Sequence, residues 1–296
     1  MPVSEQNTKP KNLIVTADDF GMSLPINSAI EAACSNGILT SASLMMKAPA
    51  TADAVERARR LPQLGVGLHL VLVDGSPVLP PEAIPDLVGT DGRFSTRLVK
   101  TGVDIFFRAS VQRQVKAEIR AQLEAFQKTG LPLDHVNGHH HFHQHPTVLA
   151  ILIELAQEFN IKAVRVPYEP FMSSWRARRE GFLKRLTSAL FQLHRTSRMK
   201  AHLRRANIRY NDYMFGLNDS GRMDTSAVQQ FLAHLPDGMS ELYFHPATSR
   251  WTGLDAFPDD YLCEQEFEAL IDPAVISCLN KFNLRNTTFT ALSLGN

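Results

Sequence analysis

The side chains best suited to chemistry in this chain are the adjacent carboxylates Asp18 and Asp19, and a run of five histidines among residues 139–145. Neutral imidazole is the commonest ligand for transition metals, so an internal histidine cluster points to a cation site. Five rings cannot all hold one ion, and the remainder must orient ligands or meet substrate. Paired carboxylates can divide the work, one binding a cation and the other staying free as a base. The bland counterparts are an acidic turn that caps a helix and a set of loop histidines. On a regular strand neighbouring side chains point to opposite faces, so both aspartates reach one pocket only at a strand end, where Gly21 permits a sharp turn. Alternation along an extended chain places His139, His141, His143 and His145 on one side. His69 in Gly67-Leu68-His69-Leu70 and His245 in Tyr243-Phe244-His245-Pro246 are further candidates. Arg165, two residues before Pro167, could hold an anionic or hydroxylated ligand. Taken singly, each reads equally well as a core histidine or a structural salt bridge.

These residues need elements to position them. Leu13–Thr16 is a short β-branched run that reads as a buried strand, followed by a helix capped by Ser23 and started by Pro25. Asn36-Gly37 stops that helix. Strands are expected over 40–46, 65–71, 133–137, 161–166 and 241–244, with helices over 50–60, 103–128 and 146–159; residues 74–97 read as a long loop. Strand and helix alternate from residue 13 to 166, which predicts a parallel sheet closed into a distorted TIM-like (β/α) barrel with fewer than eight regular units. Asp18/Asp19, His69, His139 and His245 each fall at or just beyond the C-terminal end of an expected strand, the face where such folds bind ligands.

The chain of 296 residues suits one such barrel over 12–296, preceded by a flexible tail over 1–11. Thirty-one Lys/Arg against thirty Asp/Glu leave a net charge of +1, so no global field attracts nucleic acid. Cys34, Cys263 and Cys278 form no metal-ribbon or disulfide pattern and read as small hydrophobes in a reducing, cytoplasmic setting. No run is apolar enough to span a membrane. GxGxxG, Walker A, GxSxG and HExxH are all absent, which removes the commonest nucleotide-binding and serine-hydrolase readings.

Thr16-Ala17-Asp18-Asp19-Phe20-Gly21, then Gly67-Leu68-His69-Leu70, then His135-Val136-Asn137-Gly138-His139-His140-His141-Phe142-His143 resemble the YdjC-like carbohydrate deacetylases, which include the chitooligosaccharide deacetylases. The resemblance runs in order from about residue 12 to 170, and His245-Pro246 is similar to a late motif of the family. Within it the chain most resembles the hopanoid-biosynthesis N-acetylglucosaminyl deacetylases. The resemblance implies metal ligation by Asp19, His69 and His139, with Asp18 as catalytic base. One carboxylate and two imidazoles leave coordination positions open, as a catalytic zinc or magnesium site requires. His245 is the expected acid for the leaving amine, His143 the second candidate, and His141, His143 and Arg165 are expected to contact substrate. Asn137 departs from the family, where Asp is frequent.

The expected partner is an N-acetylated sugar or glycolipid. Between Phe171 and Arg205 ten Lys/Arg face the single acid Glu180, with Phe182, Leu183, Leu186, Leu190 and Leu193 at helical spacing. Such a basic helical insertion, around 171–206, either packs its leucines on the barrel or lies on an anionic membrane surface at the inner face. Competing readings are another metal-dependent amide or phosphoester hydrolase, and a sugar- or metal-binding protein without catalysis. A glycosidase fits poorly, because its carboxylates stand roughly 5–9 Å apart across the bond.

Overall fold

In the computed structural model of the protein, residues 11–253 and 257–291 are described. The expected N-terminal tail lies outside the described residues except for Lys11, which opens the first strand. Seven parallel strands form one sheet: β1 (Lys11–Phe20), β2 (Ser41–Leu44), β3 (Gly65–Leu70), β4 (Val136–Gly138), β5 (Tyr213–Phe215), β6 (Met239–Phe244) and β7 (Leu284–Asn286). Their order is β4-β3-β2-β1-β6-β5, with β7 on the lower end of β1. The expected strand over 161–166 is present only as isolated bridges at Ala163 and Val164. Those bridges close the ring. Arg165 N donates to Val136 O (3.1 Å), Val164 N to Arg209 O (3.0 Å) and Met214 N to Tyr168 O (2.8 Å), carrying the ladder from β4 round to β5. The result is the distorted barrel that the alternation of elements predicted.

Register explains what fills it. Ile14 pairs with Glu241, Thr16 with Tyr243 and with Ser41, Ser43 with Gly67, and His69 with Asn137, so these share the inner face. Their neighbours Leu13, Val15, Ala17, Ala42, Leu44, Val66, Leu68, Leu242 and Phe244 are buried outward, in the core shared with the helices. Ile14, Ala163 and Phe289 form an apolar plug at the N-terminal mouth. Above the plug the interior is polar, which a barrel tolerates only if the groups satisfy one another. Inward glycines in β3 make room for them: a Cβ on Gly67 would lie 2.5 Å from the His135 ring.

The outer layer contains α1 (Leu24–Asn36), α2 (Thr51–Arg59), α3 (Leu98–Phe107), α4 (Ala109–Lys128) and α5 (Pro146–Leu155). It continues with α6 (Phe171–Arg178), α7 (Phe182–Arg205), α8 (Thr225–Ala233), α9 (Cys263–Ile271) and α10 (Pro273–Lys281). Ser23 caps α1 as its type predicts, accepting from Ile26 N, and Pro25 sits in the first turn. The helix expected over 103–128 is broken. Arg108 is extended (φ −104°, ψ 110°) and separates α3 from α4, held by Asp86 at 2.7 Å and Asp104 at 3.8 Å. The three cysteines are free, and two are buried. Among the described residues no helix is long and apolar enough to cross a membrane.

Candidate metal centre and cleft

Asp18 and Asp19 face the same cavity because β1 carries a bulge. Its register with β2 shifts between Ala17 and Phe20, and Asp19 takes a left-handed φ of 61°. The extra residue cancels the alternation that would have sent one carboxylate outward. The turn therefore happens at Asp19 itself and not, as the sequence suggested, at Gly21, which also has positive φ.

Asp18 is buried and held from beneath. Arg165 donates to both its oxygens, Nη1 to Oδ2 at 2.5 Å and Nη2 to Oδ1 at 3.0 Å, and Asn137 Nδ2 donates to Oδ1 at 3.0 Å. The same guanidinium serves Glu241 Oε1 through Nε (2.9 Å) and Nη2 (2.7 Å). Burial opposes ionisation of Asp18, but Arg165 and then His69 outweigh it and hold the carboxyl well below the usual range. Arg165 is fully buried and absent from the cleft lining. The expectation that it contacts substrate is corrected to a supporting place under Asp18, because four of its five N–H donors serve two buried carboxylates.

Asn137 assigns the proton on His69. Its Nδ2 donates to Asp18 and to Ser43 Oγ (2.7 Å), so its Oδ1 must accept from His69 Nδ1 at 2.8 Å. The relay continues to the barrel floor: Ser43 Oγ bonds His135 Nε2 (3.0 Å), and His135 Nδ1 bonds Asp134 Oδ2 (3.1 Å). Burial would raise Asp134, but His135 and Thr290 hold it down at about 2, so it accepts, and from His69 through Asn137, Ser43 and His135 each link donates toward it. His69 Nε2 is left as a lone pair facing Asp19 Oδ1 at 3.2 Å.

His139 Nδ1 meets the same Asp19 oxygen at 3.2 Å. Two ring nitrogens converge on this buried atom, yet neither makes a hydrogen bond of acceptable geometry with it. One ligand atom from each of Asp19, His69 and His139 lies within 4.8 Å of the others. Burial would lower His69, but Asp18 and Asp19 raise it, so the centre stabilises added positive charge. Burial would raise Asp19, and His139 and His69 hold it well below the ordinary range. An ionised carboxylate and an imidazole lone pair facing each other are a donor set that fits a divalent cation.

The histidine run is not extended. It folds as a kinked 3-10 turn over His139–Gln144, with His140 (φ 49°) and His141 (φ 56°) left-handed. The expected one-sided alternation is therefore lost, and the rings scatter to different jobs. His139, His140 and His141 line the cleft. His143 is buried behind it with Nε2 on Arg165 O (3.1 Å), and burial followed by Arg165 lowers its pKa to about 3. It therefore meets neither substrate nor leaving group, against both sequence expectations. His145 caps α5, with Nδ1 accepting from Thr147 N and Nε2 on Gly102 O at 3.1 Å.

His245 lines the cleft as expected, one residue beyond β6. Its backbone N donates to Glu266 Oε2 (2.5 Å) and its Nδ1 has no protein partner. Burial lowers its pKa, with Asp19 and Asp18 opposing. His141 Nδ1 is likewise buried without a partner. The cleft measures about 520 Å³, with Asp18, Asp19 and the histidines as floor and Leu98, Leu217, Tyr243, Phe257 and Tyr261 among its walls. Sequence reasoning missed Glu241, Tyr243 and the linking role of Asn137. The signal was there: a charged residue inside the apolar run 239–244 marks an inward position, and Tyr243 shares its parity.

A sequence model of the YdjC-like protein family matches residues 12–281. Two relatives named carbohydrate deacetylase, from Brevibacillus brevis (strain 47) and Geobacillus stearothermophilus, are 43% identical over 156 residues and 38% identical over 161 residues. These matches cover 53% and 54% of this chain and 59% and 60% of the relatives, so the chain spans under two thirds of their length. A solved Enterococcus faecalis V583 protein, proposed to be a cellobiose-phosphate cleavage protein, superposes with a TM-score of 0.73 at 23% identity. That superposition covers 97% of this chain and 100% of that one, and shows a shared fold.

Proposed function

This chain belongs to the YdjC-like family, and from that premise and the geometry of its site we propose that it is a metal-dependent hydrolase that removes the N-acetyl group from an N-acetylglucosamine-type sugar. The observation that carries the reading is an ionised, tethered carboxylate, Asp18, beside a separate Asp19–His69–His139 donor set in one cleft. A pure binding site has no use for the first. A divalent cation held by Asp19, His69 and His139 would supply Lewis-acid polarisation of the acetamide carbonyl and acidify the attacking water.

The chain's own residues do the rest. Asp18 takes the proton of the attacking water, its orientation set by Arg165 and Asn137. His245 rests neutral because burial outweighs its acidic neighbours. It receives the proton that Asp18 took from water and delivers it to the departing amine nitrogen. His141 lines the cleft and is placed to meet a sugar hydroxyl. Support for a sugar substrate comes from the name carried by the relatives. The finer reading is a sugar on a lipid carrier, as in an acetylglucosaminyl hopanoid, met by a cytoplasmic protein peripheral to the inner membrane face. It rests on the sequence resemblance and on the apolar walls Leu98, Leu217 and Phe257 above a polar floor.

Acetate release from soluble and lipid-linked N-acetylglucosamine conjugates, with and without chelator, tests this. Chelator should abolish release. Asp18→Asn should keep the metal and lose turnover by about 10²–10⁴-fold, whereas His139→Ala should lose both. Undiminished turnover by Asp18→Asn would remove it from the base role, and chelator-insensitive release would remove the cation.

A further inference from the structure

Two helices beside the cleft mouth turn apolar faces to solvent. On α3, Val99 (83% exposed), Val103, Phe106 and Phe107 (75%) follow the spacing of a single helical face, while Thr101 and Ile105 are buried beneath. On α7, Leu183 (72%), Leu190 (62%), Phe191 and Leu193 are exposed, and the helix packs inward through Ala189, Met199 and Leu203. Of the residues grouped by sequence spacing, Leu186 is half-buried, whereas Phe182, Leu183, Leu190 and Leu193 are exposed and do not cover the barrel. Within the described residues Arg195 over the Phe191 ring (5.0 Å) and His145 at the edge of Phe106 lie against these faces.

The two faces are neighbours. His145 donates to Gly102 O of α3 and feels the charge of Arg195 on α7. Both helices also reach the cleft, α3 through Leu98 and α7 through Ser188 and Gln192. α7 is anchored by Arg185, buried on Asp219 at 2.8 Å by both terminal nitrogens. Arg176, Arg179, Arg195 and Arg198 have no ion-pair partner among the described residues, and by helical spacing Arg198 shares the Leu183–Leu190 face.

We propose that α3 and α7 form one docking face for an anionic lipid bilayer, holding the cleft mouth at the membrane surface. An apolar strip flanked by unpaired arginines matches acyl chains below anionic headgroups. A second copy of this chain is the poorer occupant, because a two-fold contact would set the same arginines against themselves. The face deepens the lipid-linked reading above but is testable apart from it.

The test is flotation of the full chain with phosphatidylcholine vesicles, alone or with about 30% phosphatidylglycerol. Binding should need the anionic lipid and fall with salt. Phe107→Glu and Leu190→Glu should each weaken it by about tenfold and together abolish it, with unchanged circular-dichroism melting and unchanged acetate release from soluble N-acetylglucosamine oligomers. Three results overturn the proposal: no binding to anionic vesicles, binding unaffected by both substitutions, or a dimer in sedimentation velocity that the substitutions dissolve while vesicles are ignored. Vesicle binding without any acetate release would refute the proposed hydrolase and leave the docking face standing.

Discussion

Asn137 joins His69 and Asp18, and two replacements separate those duties. Leucine removes the acceptor for His69 Nδ1 and the donor to Asp18 and Ser43. Asp18 keeps Arg165 and Ser43 keeps His135, but His69 Nδ1 has no other hydrogen bond among those described. One buried donor is thus orphaned, at a cost of about 1–3 kcal/mol. The ring is then free to adopt the other tautomer, and metal affinity should fall by about 10–100-fold. Aspartate does the opposite. It still accepts from His69 Nδ1, so metal affinity should hold, but it places a negative charge about 3 Å from Asp18 Oδ1. At an effective dielectric of about 20, two charges at that distance repel by roughly 5 kcal/mol. Repulsion of that size pushes the Asp18 carboxyl up by as much as about four pH units, less whatever Arg165 offsets. A raised carboxyl pKa means that the base form is lost at higher pH; the parent carboxyl lies well below the usual range and stays ionised through the assay, so Asn137→Asp should gain an acidic limb that Asp18 does not impose on the parent. Zinc competition against a chromophoric chelator reads the first effect, and pH profiles of acetate release read the second. Asn137→Leu binding zinc as tightly as the parent would refute the orienting role; an Asn137→Asp profile without that added limb would refute the electrostatic one.

Two stability effects follow from buried groups outside the centre. Burial pushes Glu266 from 4.5 up to about 7, although His245 N and Met223 N donate to it. Between those pH values the folded chain keeps a proton that the unfolded chain has released, so stability should fall as pH rises through that window, by up to about 3 kcal/mol. Glu266→Gln should flatten that slope in urea melts at about pH 5 and 8, and an unchanged slope would assign it elsewhere. Phe289 stacks on His135 at 4.4 Å and plugs the barrel with Ile14 and Ala163. Phe289→Ala should therefore cost about 3–5 kcal/mol by denaturant unfolding, and a loss below about 1 kcal/mol would mean that the plug does not bear on stability.

Local patterning determined the elements and their strand-end residues. β-branched runs, Ser23, Pro25 and Asn36-Gly37 are short-range signals, and strand ends converge in any parallel barrel, so Asp18, Asp19, His69, His139 and His245 could be gathered in advance. Three features were decided only by tertiary structure. The bulge at Asp18–Asp19 exists because β1 must match β2, and no residue type in β1 announces that extra position. The two left-handed residues that fold the histidine run into a turn send His143 behind the wall and His145 to a helix cap, whereas sequence alternation assumes an extended chain. Arg165 was legible as a functional residue, but its direction was not. A guanidinium beside two inward carboxylates from other strands is drawn under the site rather than into the cleft, and that depends on which strands the ring brings together. Periodicity reports which face of an element a side chain occupies; only closure of the barrel decides what that face meets.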